Sequence, residues 1–234
     1  MPIGVICNTV AIAVGGILGA MFGGRLSEEL KEKLNLVFSV CALGIGISSI
    51  VLMSSLPAVI LSVILGTILG HALRLGARIS KGGAKLAELF PQKGSTQDTG
   101  LLVTTIVLFC ASGSGIYGSI VSGMNGDHSI LLAKSILDLF TAMIFSCTLG
   151  SVVSAIAIPQ FIIFFALFLL SKVLYPLTTP AMINDFKAAG GLILLATGLR
   201  IAKIKDFPIA DMIPAMVIVW PISWAWAAWI VPLL

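Results

Sequence analysis

Apolar residues run through this chain in long unbroken stretches, separated by short polar interruptions rather than alternating with them. A helix needs about 20 apolar residues to cross a ~30 Å hydrocarbon core. About eight stretches approach that length: 3–23, 34–53, 57–75, 100–122, 129–156, 159–176, 184–202 and 209–231. The pattern predicts an all-α, polytopic transmembrane helical bundle, one transmembrane domain over 1–234. Pro176 and Pro180 break the end of the sixth stretch, whose failure to cross would leave seven spans, and Pro214 and Pro221 are placed to kink the eighth.

Composition agrees with the pattern. Of 234 residues, 58% are hydrophobic and 10% charged, where a soluble domain carries roughly 25% charged residues. Little chain remains for a soluble domain, and the lipid bilayer is the first expected partner. The first apolar run begins at Ile3 with no basic segment ahead of it and reads as a retained helix. The net charge of +4 does not point to nucleic acid, because the basic residues lie in short loops. Arg25, Lys31 and Lys33 follow the first span, Arg74, Arg78, Lys81, Lys85 and Lys93 the third, and Arg200, Lys203 and Lys205 the seventh. The positive-inside rule puts these loops in the cytoplasm and both termini on the other side of a bacterial inner membrane. Trp220, Trp224, Trp226 and Trp229 then form an aromatic belt at the outer end of the last helix. Cys7, Cys41, Cys110 and Cys147 lie inside apolar runs without a Cys-x-x-Cys or Cys/His cluster, so neither disulfide nor metal is expected, and no cofactor.

Residues 76–99 form the one long loop, cytoplasmic, in which Ile79, Leu86, Leu89 and Phe90 could lay a short helix on the membrane surface. Two pairs of segments hint at internal repetition: "CALGIGI" (41–47) with "CASGSGI" (110–116), and "GGILGAMFGGRL" (15–26) with "GGLILLATGLRI" (190–201). Duplication and chance matching within a low-complexity apolar alphabet both account for them.

Gly15, Gly19 and Gly23 recur every fourth residue, as do Ser62, Gly66 and Gly70, a spacing that lets helix backbones approach closely in lipid. The Gly15, Gly19, Gly23 face is also one through which copies of the chain could associate. Asn8 shares that face, so its amide points into the bundle. In the fourth span Ser112, Gly115, Ser119 and Ser122 share one side while Gly113, Gly118 and Gly123 loosen the backbone, so the helix is expected to unwind there. In transporters such interruptions free carbonyls for ions or substrates. The "GIG" at 44–46 would be the matching break in a repeated half.

The fifth span carries the main chemical signal. Counted from Ser129 at 1.5 Å per residue, Lys134 lies roughly 7 Å and Asp138 roughly 13 Å into the membrane. An isolated charge there costs about 2.5–3.5 kcal/mol even on a lenient scale, whereas a local i,i+4 pair returns only about 0.2–0.5 kcal/mol in water. Other helices or water must therefore contact the pair. Lys134, Asp138, Thr141 and Thr148 fall on one stripe, and Asn184, Asp185 and Lys187 gather near the outer end of the seventh span. Together these residues suggest a polar vestibule opening outward, with Asp138 at its floor.

At this point the segments "NTVAIAVGGILG", "GSIVSGMNGDHSILLAKSILDLFTA" and "AAGGLILLATGLRIAKIKDFPIADMIPAM" show a likeness. The chain resembles, over essentially its whole length, the YdfK/YqgA-like bacterial integral membrane proteins, a domain-of-unknown-function family (number 554). The resemblance implies a multi-pass bacterial inner-membrane protein without a settled activity, sometimes described as a transporter. The matching positions are Asn8, Gly15, Gly16, Gly118, Ser119, Gly126, Asp127, Lys134, Ser135, Asp138, Gly190 and Gly191. The chain departs from the expected Gly-Val and Gln-Gly steps, with Gly150-Ser151-Val152 and Gln160-Phe161.

The expected function is therefore a transporter or channel for a small solute or ion, with a site drawn from Asp138, Lys134, Asn8, Ser112, Ser119, Thr141, Asn184 and Asp185. The alternative is a membrane scaffold or regulatory subunit in which Lys134 and Asp138 are structural. An enzyme is not expected: there is no His-Glu-x-x-His or paired-aspartate motif, and His71 and His128 map to opposite membrane sides.

Overall fold

The computed structural model describes residues 1–22, 27–88 and 96–233. The chain is helical throughout these residues, with no strand among them. The principal helices are α1 (Ile3–Phe22), α2 (Glu28–Ile50), α3 (Leu56–Ala72), α4 (Leu75–Ala87), α5 (Thr96–Cys110), α6 (Gly113–Asn125), α7 (Ser129–Leu149), α8 (Val152–Ala155), α9 (Ala157–Leu174), α10 (Pro180–Ile201), α11 (Ile209–Met212) and α12 (Ala215–Ala225). Among the described residues six helical segments are long and apolar enough to cross a membrane, or up to seven if α3 and α4 form one broken span. The expected seventh span is present as α10, 22 residues long, but Asn184, Asp185, Lys187 and Arg200 dilute its apolar character. Most of the α10 residues that face inward are small or aliphatic and buried by protein, so this helix has less need of a lipid-compatible surface.

The helix ends follow local chemistry. Ser55 stands before α3 with Pro57 in its first turn, and Thr179 accepts a hydrogen bond from the Met182 amide ahead of α10, whose first residue is Pro180. Between α6 and α7, Gly126 takes a left-handed conformation (φ 74°), and Asp127 Oδ1 accepts from the Ser129 amide at 3.0 Å and the Ser129 hydroxyl at 2.6 Å. Gly150 ends α7 at φ 71° and ψ −160°, a region open essentially to glycine alone, so the expected fifth span to residue 156 stops early.

The chain divides into two compact units, one of residues 1–35 with 77–173 and one of 36–76 with 174–234. In the first, α1 and α7 run parallel in backbone contact: a methyl group on Gly15 would overlap the Leu139 carbonyl oxygen, and one on Gly19 that of Met143. Lipid tails offer apolar side chains as much contact as protein does, so close association in a bilayer relies on this backbone approach. The Gly15/Gly19 face is thus occupied by α7 of the same chain rather than open to a second copy, and Gly23 lies outside the described residues. Below this contact Ile12, Ile106, Phe109, Cys110, Ala142 and Ile156 share one apolar cluster.

α4 is a helix in the loop where a surface helix was expected. Its Ala87 joins that cluster with Leu86 packed against it, so much of the apolar side serves the protein core rather than the membrane surface. Leu89 and Phe90 lie outside the described residues, as do Arg25 and Lys93.

In the second unit α2, from Leu36 onward, packs antiparallel on α10. A Cβ on Gly46 would come within 2.8 Å of the Gly191 carbonyl oxygen, and one on Gly191 within 2.7 Å of the Gly46 oxygen. α2 therefore stays continuous at "GIG", where Gly46 serves helix contact rather than an unwound break. Gly66 and Gly70 of α3 bring it against Ala215 and Asp211, that is, α12 and α11.

The two units share an order of elements: long helix, four-residue helix, long helix (α7, α8, α9 and α10, α11, α12). "CALGIGI" lies on α2, antiparallel to α10, and "CASGSGI" spans the end of α5 and the start of α6, the latter antiparallel to α7. By contrast, the glycine segments of α1 and α10 hold different places, so only the first pair fits a repeated design.

Candidate functional site

Asp138 is the tenth residue of the 21-residue α7, near its midpoint, as the sequence count indicated. The buried face of α7 carries Ile130, Leu131, Lys134, Ser135, Asp138, Ala142 and Ser146, which recur at helical spacing. Lys134 and Asp138 are each only 6% exposed. The Lys134 ammonium donates to both carboxylate oxygens, at 2.9 Å to Oδ1 and 2.8 Å to Oδ2.

Two further helices complete the site. Asn8, held on α1 beside the glycine contact, donates through Nδ2 to Asp138 Oδ2 at 2.8 Å. Gln160, near the start of α9, donates through Nε2 to Asn8 Oδ1 at 2.9 Å, and the Thr9 hydroxyl lies 2.9 Å from Gln160 Oε1. Asn8 and Gln160 have no solvent exposure. The result is one continuous polar chain through α7, α1 and α9: Lys134, Asp138, Asn8, Gln160, Thr9. It answers the energetic problem the sequence poses, since a buried ion pair holds only when its remaining lone pairs and protons find partners.

The α5/α6 break stands level with this pair. α5 ends at Cys110 and α6 begins at Gly113, with Ser112 extended between them (ψ 138°). α6 runs antiparallel to α7: Ser122 Oγ is 2.7 Å from His128 Nδ1, and a Cβ on Gly118 would stand 3.0 Å from the Leu131 side chain. That register carries α6 from Gly118, beside Leu131, toward the level of Lys134, while a Cβ on Gly115 would meet the Phe164 ring of α9. Cys110, packed with Ile12 and Ala142, lies at the same depth. The unwinding anticipated in the fourth span therefore occurs, and occurs beside the charges.

The remaining sequence candidates go elsewhere. The Ser112 hydroxyl caps α6, accepting from the Gly115 amide at 3.3 Å, and Ser119 Oγ donates to the Gly115 carbonyl at 2.7 Å. Thr141 donates to the Leu137 carbonyl of its own helix at 2.8 Å, and Thr148 is exposed, so the stripe drawn through them is not the buried one. Nor does Asp138 stand at the floor of an open vestibule, given its burial and its pairing.

Asn184 and Asp185 belong to the second unit. Asp185 is fully buried by protein; its Oδ1 accepts the Ser54 and Ser55 amides at 2.9 and 2.7 Å, and its Oδ2 the Ser223 hydroxyl at 2.6 Å. Asn184 Nδ2 donates to Ser54 Oγ at 3.3 Å. A carboxylate on the two amides just ahead of α3 complements the helix dipole. Alongside it Trp220 turns inward and stacks on Phe186 with centroids 4.7 Å apart, leaving Trp224 and Trp229 as the exposed aromatics of the expected belt. Replacing Asp185 by alanine is expected to destabilise the protein by about 2–3 kcal/mol, and by asparagine by about 1 kcal/mol. Thermal unfolding in detergent, which follows the loss of the α3 anchor, measures both.

Gln160 and Thr9 are the site residues that sequence reasoning missed. The available signal was a single amide in "AIPQFIIFFALFLL", an otherwise apolar segment, where an unpaired polar group would be costly. Among the described residues no cluster of three or more His, Cys, Asp or Glu could hold a metal ion.

Comparison with known proteins places these residues in a wider group. The family model described as "Protein of unknown function (DUF554)" matches residues 3–224. The chain is 46% identical to the "Uncharacterized protein YqgA" of Escherichia coli (strain K12), over 98% of this chain and 99% of that protein. It is 28% identical to the "Uncharacterized membrane protein YdfK" of Bacillus subtilis (strain 168), over 92% of this chain and 93% of that protein. No solved structure matches.

Proposed function

The chain belongs to the DUF554 family of proteins of unknown function, and from that premise we propose that it is a transporter or channel for a small solute or ion, with Asp138 and Lys134 as its coupling site. The observation that carries this reading is the helix break at Ala111 and Ser112 level with a buried, fully paired Lys/Asp couple. A broken helix leaves amides and carbonyls without helical partners, and in transporters such groups accompany charged residues at mid-membrane. Lys134 acts in this state as a tethered cation: it fills the carboxylate until a competing ion or a proton displaces it. The protein works in a bacterial inner membrane with both termini on the non-cytoplasmic side, and it is not an enzyme.

The test uses purified full-length protein in liposomes with a trapped pH-sensitive dye, challenged from outside with sugars, amino acids, inorganic anions and alkali cations in turn. At least one class is expected to drive an internal pH change or its own uptake above empty liposomes, and Asp138→Asn to abolish it. Flux equal to empty liposomes for every class, or undiminished flux in Asp138→Asn, overturns the proposal.

A second reading, a scaffold or regulatory subunit, draws on the closure of the network. Every polar side chain from Lys134 to Thr9 finds a partner on another member of it, which is also what a helix lock requires.

A further inference from the structure

Taking that transport reading as its basis, we infer that the coupling ion is the proton, bound at Asp138, and that Asn8, Gln160 and Thr9 form a hydrogen-bond chain able to run in either direction according to whether Asp138 is ionised.

In the direction drawn by the structure, every donor points toward the carboxylate end. The Thr9 hydroxyl donates to Gln160 Oε1, Gln160 Nε2 donates to Asn8 Oδ1, and Asn8 Nδ2 donates to Asp138 Oδ2, at 2.9, 2.9 and 2.8 Å. With Lys134 also donating to both oxygens, Asp138 is an acceptor only, the pattern of a carboxylate. A proton placed on Oδ2 would face the Asn8 N–H, donor against donor.

Turning each terminal amide by half a revolution removes that conflict. An amide exchanges its oxygen and nitrogen at nearly the same two positions, so the same separations serve the opposite polarity. Protonated Asp138 Oδ2 then donates to Asn8 Oδ1, Asn8 Nδ2 to Gln160 Oε1, and Gln160 Nε2 to the Thr9 oxygen. The chain needs an end that can change its mind, and Thr9 supplies it: its hydroxyl is also 2.9 Å from the Val5 carbonyl oxygen, one helical turn back. One hydroxyl hydrogen serves one acceptor at a time. It points to Gln160 in the first direction and to Val5 in the second, and each amide keeps one donated and one accepted bond in both.

The step balances simply. A hydronium ion gives up a proton and leaves water, an O–H bond forms at Asp138 Oδ2, the hydrogen bonds from Asn8 and Lys134 to that oxygen are given up, and the Lys134 ammonium keeps its protons and becomes the uncompensated charge in this core. A metal cation fits less well, because it needs several oxygen ligands at once, whereas the ammonium holds both Asp138 oxygens and the amide oxygens face along the chain. On the helices packed against α7, the titratable groups with described side chains are Cys7 on α1, Cys110 on α5, Tyr117 on α6 and Lys172 on α9. Of these, Cys110 lies within electrostatic reach of Lys134.

Infrared difference spectroscopy during a pH titration of the full-length protein in lipid vesicles, in H2O and D2O, reads this directly. A protonated-carboxyl band is expected to rise as pH falls, with a side-chain amide carbonyl change in the same step, and Asp138→Asn should remove both. Thr9→Ala takes away the acceptor of the reversed chain, leaving a buried N–H unpaired, a larger penalty than an underused carbonyl. It should lower the proton affinity of Asp138 by about tenfold, and Thr9→Ser, which keeps the hydroxyl, should restore it. A carboxyl titration without the amide change, a band that survives Asp138→Asn, or Thr9→Ala titrating like the native protein would overturn the inference. Its failure is separable from that of the transport reading: flux that needs Asp138 with silent amide bands defeats the chain alone, while coupled bands with no flux defeat transport alone.

Discussion

Replacing Asp138 by leucine while Lys134 remains is expected to destabilise the protein by about 3–5 kcal/mol, because it leaves an ammonium buried in the first unit without its counter-charge. Lys134→Met should cost a similar amount for the opposite reason. The informative variant is the double replacement, Lys134→Met with Asp138→Leu, which removes both charges and the desolvation they carry. Apolar substitution of a whole buried pair is commonly neutral or stabilising, and here it strands only the Asn8 amide, at about 1–3 kcal/mol. The double variant should therefore be clearly more stable than either single one. A thermal or denaturant series in detergent, analysed as a double-mutant cycle, measures the coupling. The same variant separates the two functional readings. A scaffold regains its role with its stability, whereas a transporter regains stability and stays inactive.

The second large effect is steric. Gly19→Leu is expected to cost at least about 3 kcal/mol and to leave little folded protein in the membrane, since the new side chain would meet the Met143 backbone, which cannot move aside as a side-chain tip can. The control is Gly44→Ala on α2, where an added Cβ meets nothing within 4 Å. That change should be neutral or stabilising by up to about 1 kcal/mol, through the helix propensity of alanine alone. Yield of monodisperse protein after extraction, followed by unfolding of whatever is recovered, distinguishes the two. Equal behaviour of the two variants would show that α1 and α7 do not meet as described.

Much of the site was readable without coordinates because its components are expensive in lipid. Lys134, Asp138 and Asn8 each violate the apolar pattern around them, and a violation at mid-membrane calls for a partner. The glycine spacing of α1 likewise announced a close helix contact. Gln160 escaped because it is uncharged and alone, and because its partners, Asn8 and Thr9, lie some 150 residues earlier in the chain. Serines and threonines misled for the converse reason. Ser119 and Thr141 carry hydroxyls that bond to a carbonyl of their own helix, so a polar face drawn through them marks no shared site.

By itself, then, the sequence determined the class: its apolar runs and scarce charges admit a helical membrane protein, and its intramembrane charges demand polar company. Tertiary structure decided which company. It joined Asp138 to α1 and α9, gave Asp185 to the start of α3 in the other unit, and spent the α1 glycines within one chain. Those choices depend on which helices become neighbours. Local periodicity fixes the face a side chain points from, and the packing of distant segments alone fixes what it meets.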